Sequence, residues 1–203
     1  MFSFTAAYDS DTVTQFYSKS RDAPLGKGAG EKIPPGKPFP TTLPADFRKC
    51  LSDMHVAPFY FRGDAWSSIE HVYHATKFIH EPDFYAKFTR HGAYGTDPRM
   101  AKLAGGKNGC KTTNLPRELR RPEHIKMDTN WHIKRNAYLL EAQLAKFRTH
   151  GELRKILLGT GDAQLNHFVR GRPPVICRVL MQARHELRAE ASGSPAKRRR
   201  LVE

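Results

Sequence analysis

Trp66-Ser67-Ser68-Ile69-Glu70-His71-Val72-Tyr73-His74-Ala75-Thr76-Lys77-Phe78 is the stretch on which the reading of this chain turns. Wound as an α-helix at about 100° per residue, it sorts its side chains onto two faces. Glu70, His74 and Lys77 fall within one arc with Tyr73 on its edge, while Ile69, Val72, Thr76 and Ile79 lie opposite. An acid, an imidazole and an amine therefore share a face that the apolar side anchors. Ser67, with Glu70 three residues on, fits a capping box. Spacing alone leaves two readings open. Glu70 is a cap partner and Glu70–His74 an i,i+4 surface pair, or the three side chains form a cluster that does chemistry.

Upstream, residues 57–66 read as a strand and tight turn feeding the helix, with Arg62-Gly63-Asp64 as the turn. Further back, Thr12-Val13-Thr14-Gln15-Phe16-Tyr17 is β-branched and aromatic and reads as a short strand. Residues 21–45 collect so many glycines and prolines that they predict a long loop. Downstream, helical pieces are expected around residues 84–90 and 98–103, then the turn-rich Gly105-Gly106-Lys107-Asn108-Gly109. From Trp131 the pattern is helical through Phe147 and continues over Leu153, Ile156 and Leu157 until Gly159 and Gly161 stop it. Pro173-Pro174 is expected to open a last helix carrying Val175, Val179, Leu180, Ala183 and Leu187. The expected organisation is an extension over residues 1–11, one domain over 12–188, and a basic, disordered tail over 189–203. The fold class is mainly α (α+β), with a small β element near the N-terminus.

The chain of 203 residues carries a net charge of +14, and only two of those charges belong to residues 189–203. The basicity is the domain's own and points to a polyanion: nucleic acid, a phosphate-rich small molecule or an acidic surface. Cys50, Cys110 and Cys177 are odd in number and far apart, which speaks for a reducing compartment and against a disulfide framework. No zinc-like spacing accompanies His71 and His74, so neither metal nor cofactor is expected. Without a signal-like N-terminus or an apolar run of spanning length, a soluble intracellular protein is expected. Lys197-Arg198-Arg199-Arg200 has the composition of a nuclear-localisation patch, which leaves cytoplasm and nucleus both open.

Four further places carry chemistry-bearing residues. Tyr17-Ser18-Lys19 leads into Gly26-Lys27-Gly28-Ala29-Gly30, where glycine N–H groups and lysines suit phosphates, though a flexible basic loop is the plainer account. Lys107 in its glycine-rich turn is a second candidate of that kind. Trp131 suits either stacking on a base or anchoring the core. Asp162, in Gly159-Thr160-Gly161-Asp162, is a helix cap or a positioned carboxylate.

Taken in order, Trp66 to Phe78, Trp131, Leu144-Ala145-Lys146-Phe147, Leu157 to Ala163 and Arg178-Val179-Leu180-Met181 resemble the NADAR (YbiA-like) family. The likeness spans residues 12–188, and the segment from Phe16 to Gly28 resembles the longer loop of its eukaryotic and viral branch. The resemblance implies a mostly helical α+β fold and N-glycosidic hydrolysis near ADP-ribose or nucleotide-like substrates. It implies catalytic roles for Glu70, Lys77 and Asp162 and a ligand contact for Trp131. Residues 166–173 replace a longer insert of bacterial members and set Arg170 and Arg172 at a substrate rim, and Cys177 stands where glycine is usual.

The leading expectation is a hydrolase removing ADP-ribose from guanine, in DNA or as a nucleoside. Lys77 attacks the anomeric carbon to form a Schiff base, and Glu70 or Asp162 moves protons. His74 and Tyr17, Ser18, Lys19, Lys27, Gly28 and Lys107 bind substrate, the loop and Lys107 taking the pyrophosphate. Lys77 beside Glu70 is favoured as ammonium, the poor nucleophile, unless burial or neighbouring cations offset the acid. The alternatives are an N-glycosidase acting on a riboflavin precursor and a non-catalytic ADP-ribose or nucleic-acid binding module.

Overall fold

The β-branched run near the front extends, and strand β1 (Asp9–Phe16) forms around it in the computed structural model, which describes residues 3–193. Its partner comes from the other end of the chain. Strand β4 (Ala163–His167) lies parallel to β1 and β5 (Val175–Ile176) antiparallel to β4, in the order β1-β4-β5. The register runs Thr14 to Leu165 and Phe16 to His167, with a slip between Asp9 and Val13. A parallel pair needs a crossover, and here the body of the chain supplies it.

That body contains α1 (Phe47–Cys50), the hairpin β2 (Phe59–Phe61) and β3 (Asp64–Trp66), and α2 (Ile69–Ala75). Helices α3 (Pro82–Ala86), α4 (Pro98–Gly105), α5 (Trp131–Thr149) and α6 (Gly151–Gly159) follow, and α7 (Arg178–Ala191) comes after the sheet. The fold is mainly helical α+β, as the sequence predicts. The two-residue hairpin loop is Arg62-Gly63, with φ of 51° and 86°, the left-handed pair that a type I′ turn needs. Arg62 is held there by Glu141, to which its Nε and Nη2 donate at 3.0 and 3.1 Å.

Helix α5 divides the apolar interior. On one side Phe16, Phe47, Leu51, Phe147, Leu157, Leu165 and Leu180 pack together, and on the other Phe59, Trp66, Ile69, Val72, Phe78 and Phe88. Each fully buried side chain of this size contributes about 1.5–3 kcal/mol. Ile69 and Val72, on the predicted apolar face of α2, are wholly buried.

Three local expectations change. The α-helix stops at Ala75 and tightens into a 3₁₀ turn over Thr76–Phe78, where the Thr76 hydroxyl donates to the Val72 carbonyl at 2.9 Å. Ser68, not Ser67, stands at the N-cap, and its hydroxyl meets His71 Nδ1 at 2.7 Å, so no capping box forms with Glu70. The last helix opens at Arg178, because Val175 and Ile176, β-branched, pair with the edge of β4. The β element therefore draws on both ends of the chain. Between β1 and α1 the loop holds its shape through the Val13–Lys32 bridge and the buried Arg48–Glu31 ion pair. Lys197 to Arg200 lie outside the described residues.

Candidate active site

Helix α2 starts under a carbonyl: the Glu70 N–H donates to the backbone oxygen of Asp53 at 2.9 Å. From that anchor the polar arc assembles as its spacing predicts. His74 Nε2 lies 3.2 Å from Glu70 Oε1, and Lys77 Nζ lies 3.0 Å from His74 Nδ1. An ammonium only donates, so Nδ1 accepts from Lys77 and the Nε2–H points at Glu70. The Lys77 amine also donates to the Gly105 carbonyl at 3.2 Å. Gly105 is required here, because a Cβ would stand 2.6 Å from the His74 ring. Only a bare backbone brings α4 close enough to offer that oxygen.

Two aromatic faces wall the amine. Nζ is 4.4 Å from the ring centre of Tyr73 and 5.1 Å from that of Trp131, and the two rings meet edge to face. Trp131 begins α5 and donates its indole N–H to Thr76 Oγ1 at 3.2 Å, so it is both a core anchor and a wall of the site. Lys77 is left 8% exposed, enclosed but reachable.

This enclosure resolves the conflict over its charge. Burial drives the Lys77 ammonium down to about 8, Glu70 opposes, and Arg121 and Lys102 reinforce the fall. Glu70 does not touch the amine, because His74 stands between them. Burial also lowers His74, opposed by the hydrogen bond to Glu70 and aided by the charge of Lys77. For Glu70, burial works to raise the carboxyl, and the His74 hydrogen bond with the charges of His74, Lys102 and Lys77 outweighs it, leaving the group below its ordinary value. At neutral pH the row is carboxylate, neutral imidazole and an amine that is partly deprotonated.

Behind the site lies a second polar layer that the sequence did not single out. Asp53 accepts from Gln143 Nε2 at 2.7 Å; burial, then the charge of Glu70, raises its carboxyl to about 6. Lys146 is fully buried, is lowered by burial to about 8, and has no hydrogen-bond partner for Nζ. His167, at the end of β4, was also missed; burial lowers its imidazole against the field of Glu70.

The other candidates separate. Tyr17 packs edge-on against Phe168 at 5.4 Å and lies 6.5 Å from His167, and the Ser18 hydroxyl meets the sulfur of Met54, next to Asp53. Lys19 is exposed; Lys27, also exposed, lines a cavity of about 390 Å³ with Gln15, Arg21, Arg48 and Phe168. Gly28 does not offer the expected phosphate cradle. The N–H groups of Gly26 and Gly28 donate to Glu31 Oε2 at 2.9 and 3.0 Å, and Arg48 grips both carboxylate oxygens at 2.8 and 2.6 Å. The anion in that nest is the chain's own. Lys107 is exposed, with its carbonyl accepting from Arg121 Nη2 at 3.2 Å.

Asp162 is not gathered with Glu70 and Lys77. It precedes β4, whose other end carries His167, about 16 Å away along the strand. Its carboxylate accepts from Arg188 Nη1 at 2.6 Å, and that hydrogen bond holds it below the usual carboxylate range. Nor does it cap a helix, since a strand follows. Arg170 and Arg172 are exposed in the turn after His167. Among the described residues no group of three or more His, Cys, Asp or Glu could hold a metal ion, and no helix is long and apolar enough to cross a membrane.

No protein-family model matches the chain. Over 116 residues it is 31% identical to an N-glycosidase of Nostoc punctiforme, a match covering 57% of this chain. That match spans 64% of the cyanobacterial protein, less than two thirds of its length. The E. coli protein YbiA, solved by NMR, superposes with a TM-score of 0.58 at 20% identity, covering 97% of this chain and 95% of YbiA. The fold of this chain is YbiA-like, the mostly helical α+β arrangement that the motifs imply.

Proposed function

We propose that this protein is an N-glycosidase that removes ADP-ribose from a guanine base, in DNA or as a nucleoside, through a Schiff base on Lys77. The observation that carries the reading is the state of that amine: enclosed by Tyr73 and Trp131, hydrogen-bonded to a neutral imidazole, and lowered by burial to about 8. A buried lysine so lowered is a nucleophile at working pH. The relative named as an N-glycosidase supports the reaction class, and the charge of +14 supports a polyanionic substrate.

The Lys77 lone pair attacks the anomeric carbon as the bond to the guanine nitrogen breaks. The new C–N centre releases one proton through His74 Nδ1, and the guanine nitrogen takes it. Glu70 stays ionised and steadies the imidazolium while it lasts. The remaining N–H proton then passes to the ribose ring oxygen as the ring opens, which leaves an imine on Lys77. Water adds to the imine carbon, the amine is released, and the sugar closes again as ADP-ribose. The net reaction consumes one water.

Mass spectrometry of the wild type and Lys77→Ala with guanine-ADP-ribosylated single-stranded DNA, with and without borohydride, tests this. The expected result is release of ADP-ribose by the wild type alone and a borohydride-trapped adduct at Lys77. Release by both proteins without an adduct overturns the lysine route and keeps the hydrolase. No release by either overturns the substrate, and a riboflavin precursor and a pure binding role are then tested in turn.

A further inference from the structure

The glycine-rich loop is closed around Glu31, so the charged part of the substrate needs another seat. Three cations border the Lys77 centre. Lys102 Nζ, on α4, lies 3.8 Å from Glu70 Oε1. The Arg121 guanidinium lies 5.2 Å from the ring centre of Phe78, next to Lys77, and donates to the Lys107 carbonyl. The Arg121 N–H donates to the Gly109 carbonyl at 3.1 Å, which fixes its segment. Arg135 lies one helical turn beyond Trp131, with its guanidinium 5.8 Å from that ring.

The charges around this opening do not balance. Among the described residues Lys102 pairs with Glu70, and neither Arg121 nor Arg135 is ion-paired to an acid. The nearby Asp128 carboxylate pairs instead with His80 at 3.6 Å and Lys134 at 4.0 Å. Lys102 and Arg135 are exposed and Arg121 is half-buried, so the surplus faces solvent at the mouth. Arginines with no acid partner beside an aromatic wall suit a group with several oxygens on adjacent phosphorus atoms, which two planar guanidinium groups can hold from two sides.

Resting on the reading of Lys77 as the reacting amine, we propose that Lys102, Arg121 and Arg135 form the diphosphate subsite of this centre. The diphosphate sits outside the Tyr73–Trp131 walls and its ribose reaches in to Lys77. The loop cations Lys19 and Lys27 then lie off the diphosphate.

Isothermal titration of the full chain with ADP-ribose and with inorganic pyrophosphate tests the proposal, with adenosine as the uncharged control. Arg121→Ala and Arg135→Ala are each expected to weaken ADP-ribose and pyrophosphate by about tenfold or more. Arg121→Lys and Arg135→Lys should recover part of the loss, and adenosine binding should not change. Lys155→Ala, which removes an equal charge from the exposed Lys155–Glu152 pair on α6, should bind both anions as the wild type does. Unchanged ADP-ribose affinity in both arginine variants overturns the subsite. So does an equal loss in Lys155→Ala, which marks the attraction as one of net charge. Tight binding of unmodified single-stranded DNA with none of ADP-ribose or pyrophosphate also overturns it, in favour of a strand-backbone surface. Arginine-dependent diphosphate binding without release of ADP-ribose from guanine upholds the subsite and removes the proposed reaction.

Discussion

Lys77 and Lys146 are both buried lysines, and burial lowers each to about 8, yet the protein treats them differently. The Lys77 amine donates to His74 and to the Gly105 carbonyl and looks out between two aromatic faces. Lys146 Nζ has no hydrogen-bond partner; the fields of Asp53 and Cys50 and the ring of Phe147 at 5.6 Å act on it. A lowered lysine is therefore not by itself a reactive one. Access and a proton acceptor at Nδ1 fit Lys77 to the proposed attack, and Lys146, which has neither, belongs to the core electrostatics.

Substitution should break this contrast most sharply. Lys77→Met is expected to lower turnover at least about a thousandfold, with the fold retained, as circular dichroism and single-turnover kinetics would show. A fall under tenfold would strip Lys77 of its role. Lys146→Met should leave Asp53 buried without its counter-charge and cost about 3 kcal/mol in urea unfolding. Adding Asp53→Asn, which keeps an acceptor for Gln143, should return stability to the wild-type level or above. A double variant no more stable than the single one would refute the coupling.

pH sharpens the comparison. For both lysines the folded value lies near 8, against an ordinary value of 10.5. Between those limits the unfolded chain binds more protons, so stability rises with pH from about 8 to 10.5 and is lost as pH falls back through 8. Urea unfolding at the two limits should show the gain in the wild type and a smaller one in Lys77→Met. Activity should follow Lys77 alone: kcat/KM should climb about tenfold per pH unit below 8 and level off above. The smallest effect should belong to Asp162. Its ion pair with Arg188 is largely exposed, so Asp162→Asn should cost under about 1 kcal/mol and leave turnover within about twofold. A large loss of turnover would restore it to the chemistry.

The row of Glu70, His74 and Lys77 was legible because one short helix carries it, and helical spacing decides which side chains meet. The same logic applied to Trp131 would have found Arg135, four residues on. Asp162 misled, since its place depends on the direction of β4, and β4 takes its direction from pairing with β1. Nothing local reveals that. The glycine loop misled for another reason: the anion in its nest is Glu31, and Arg48, from the next helix, completes the grip. Asp53, His167 and Arg121 arrive from separate elements that only tertiary packing joins to α2. The end of the sheet was misread where β-branched residues followed two prolines, a pattern that fits a strand as well as a helix start.

The parallel pairing of β1 with β4 has a consequence for the birth of the molecule. Asp9 leaves the ribosome well before its partner Ala163, which follows only after α6 has emerged. Domains begin to fold during synthesis, and distant pairings come last. The segment from β2 to α5, which holds Lys77, its aromatic walls and its cations, is thus complete in the growing chain while the first strand still waits for β4. The half that carries the candidate site can take shape before the sheet that closes the domain exists.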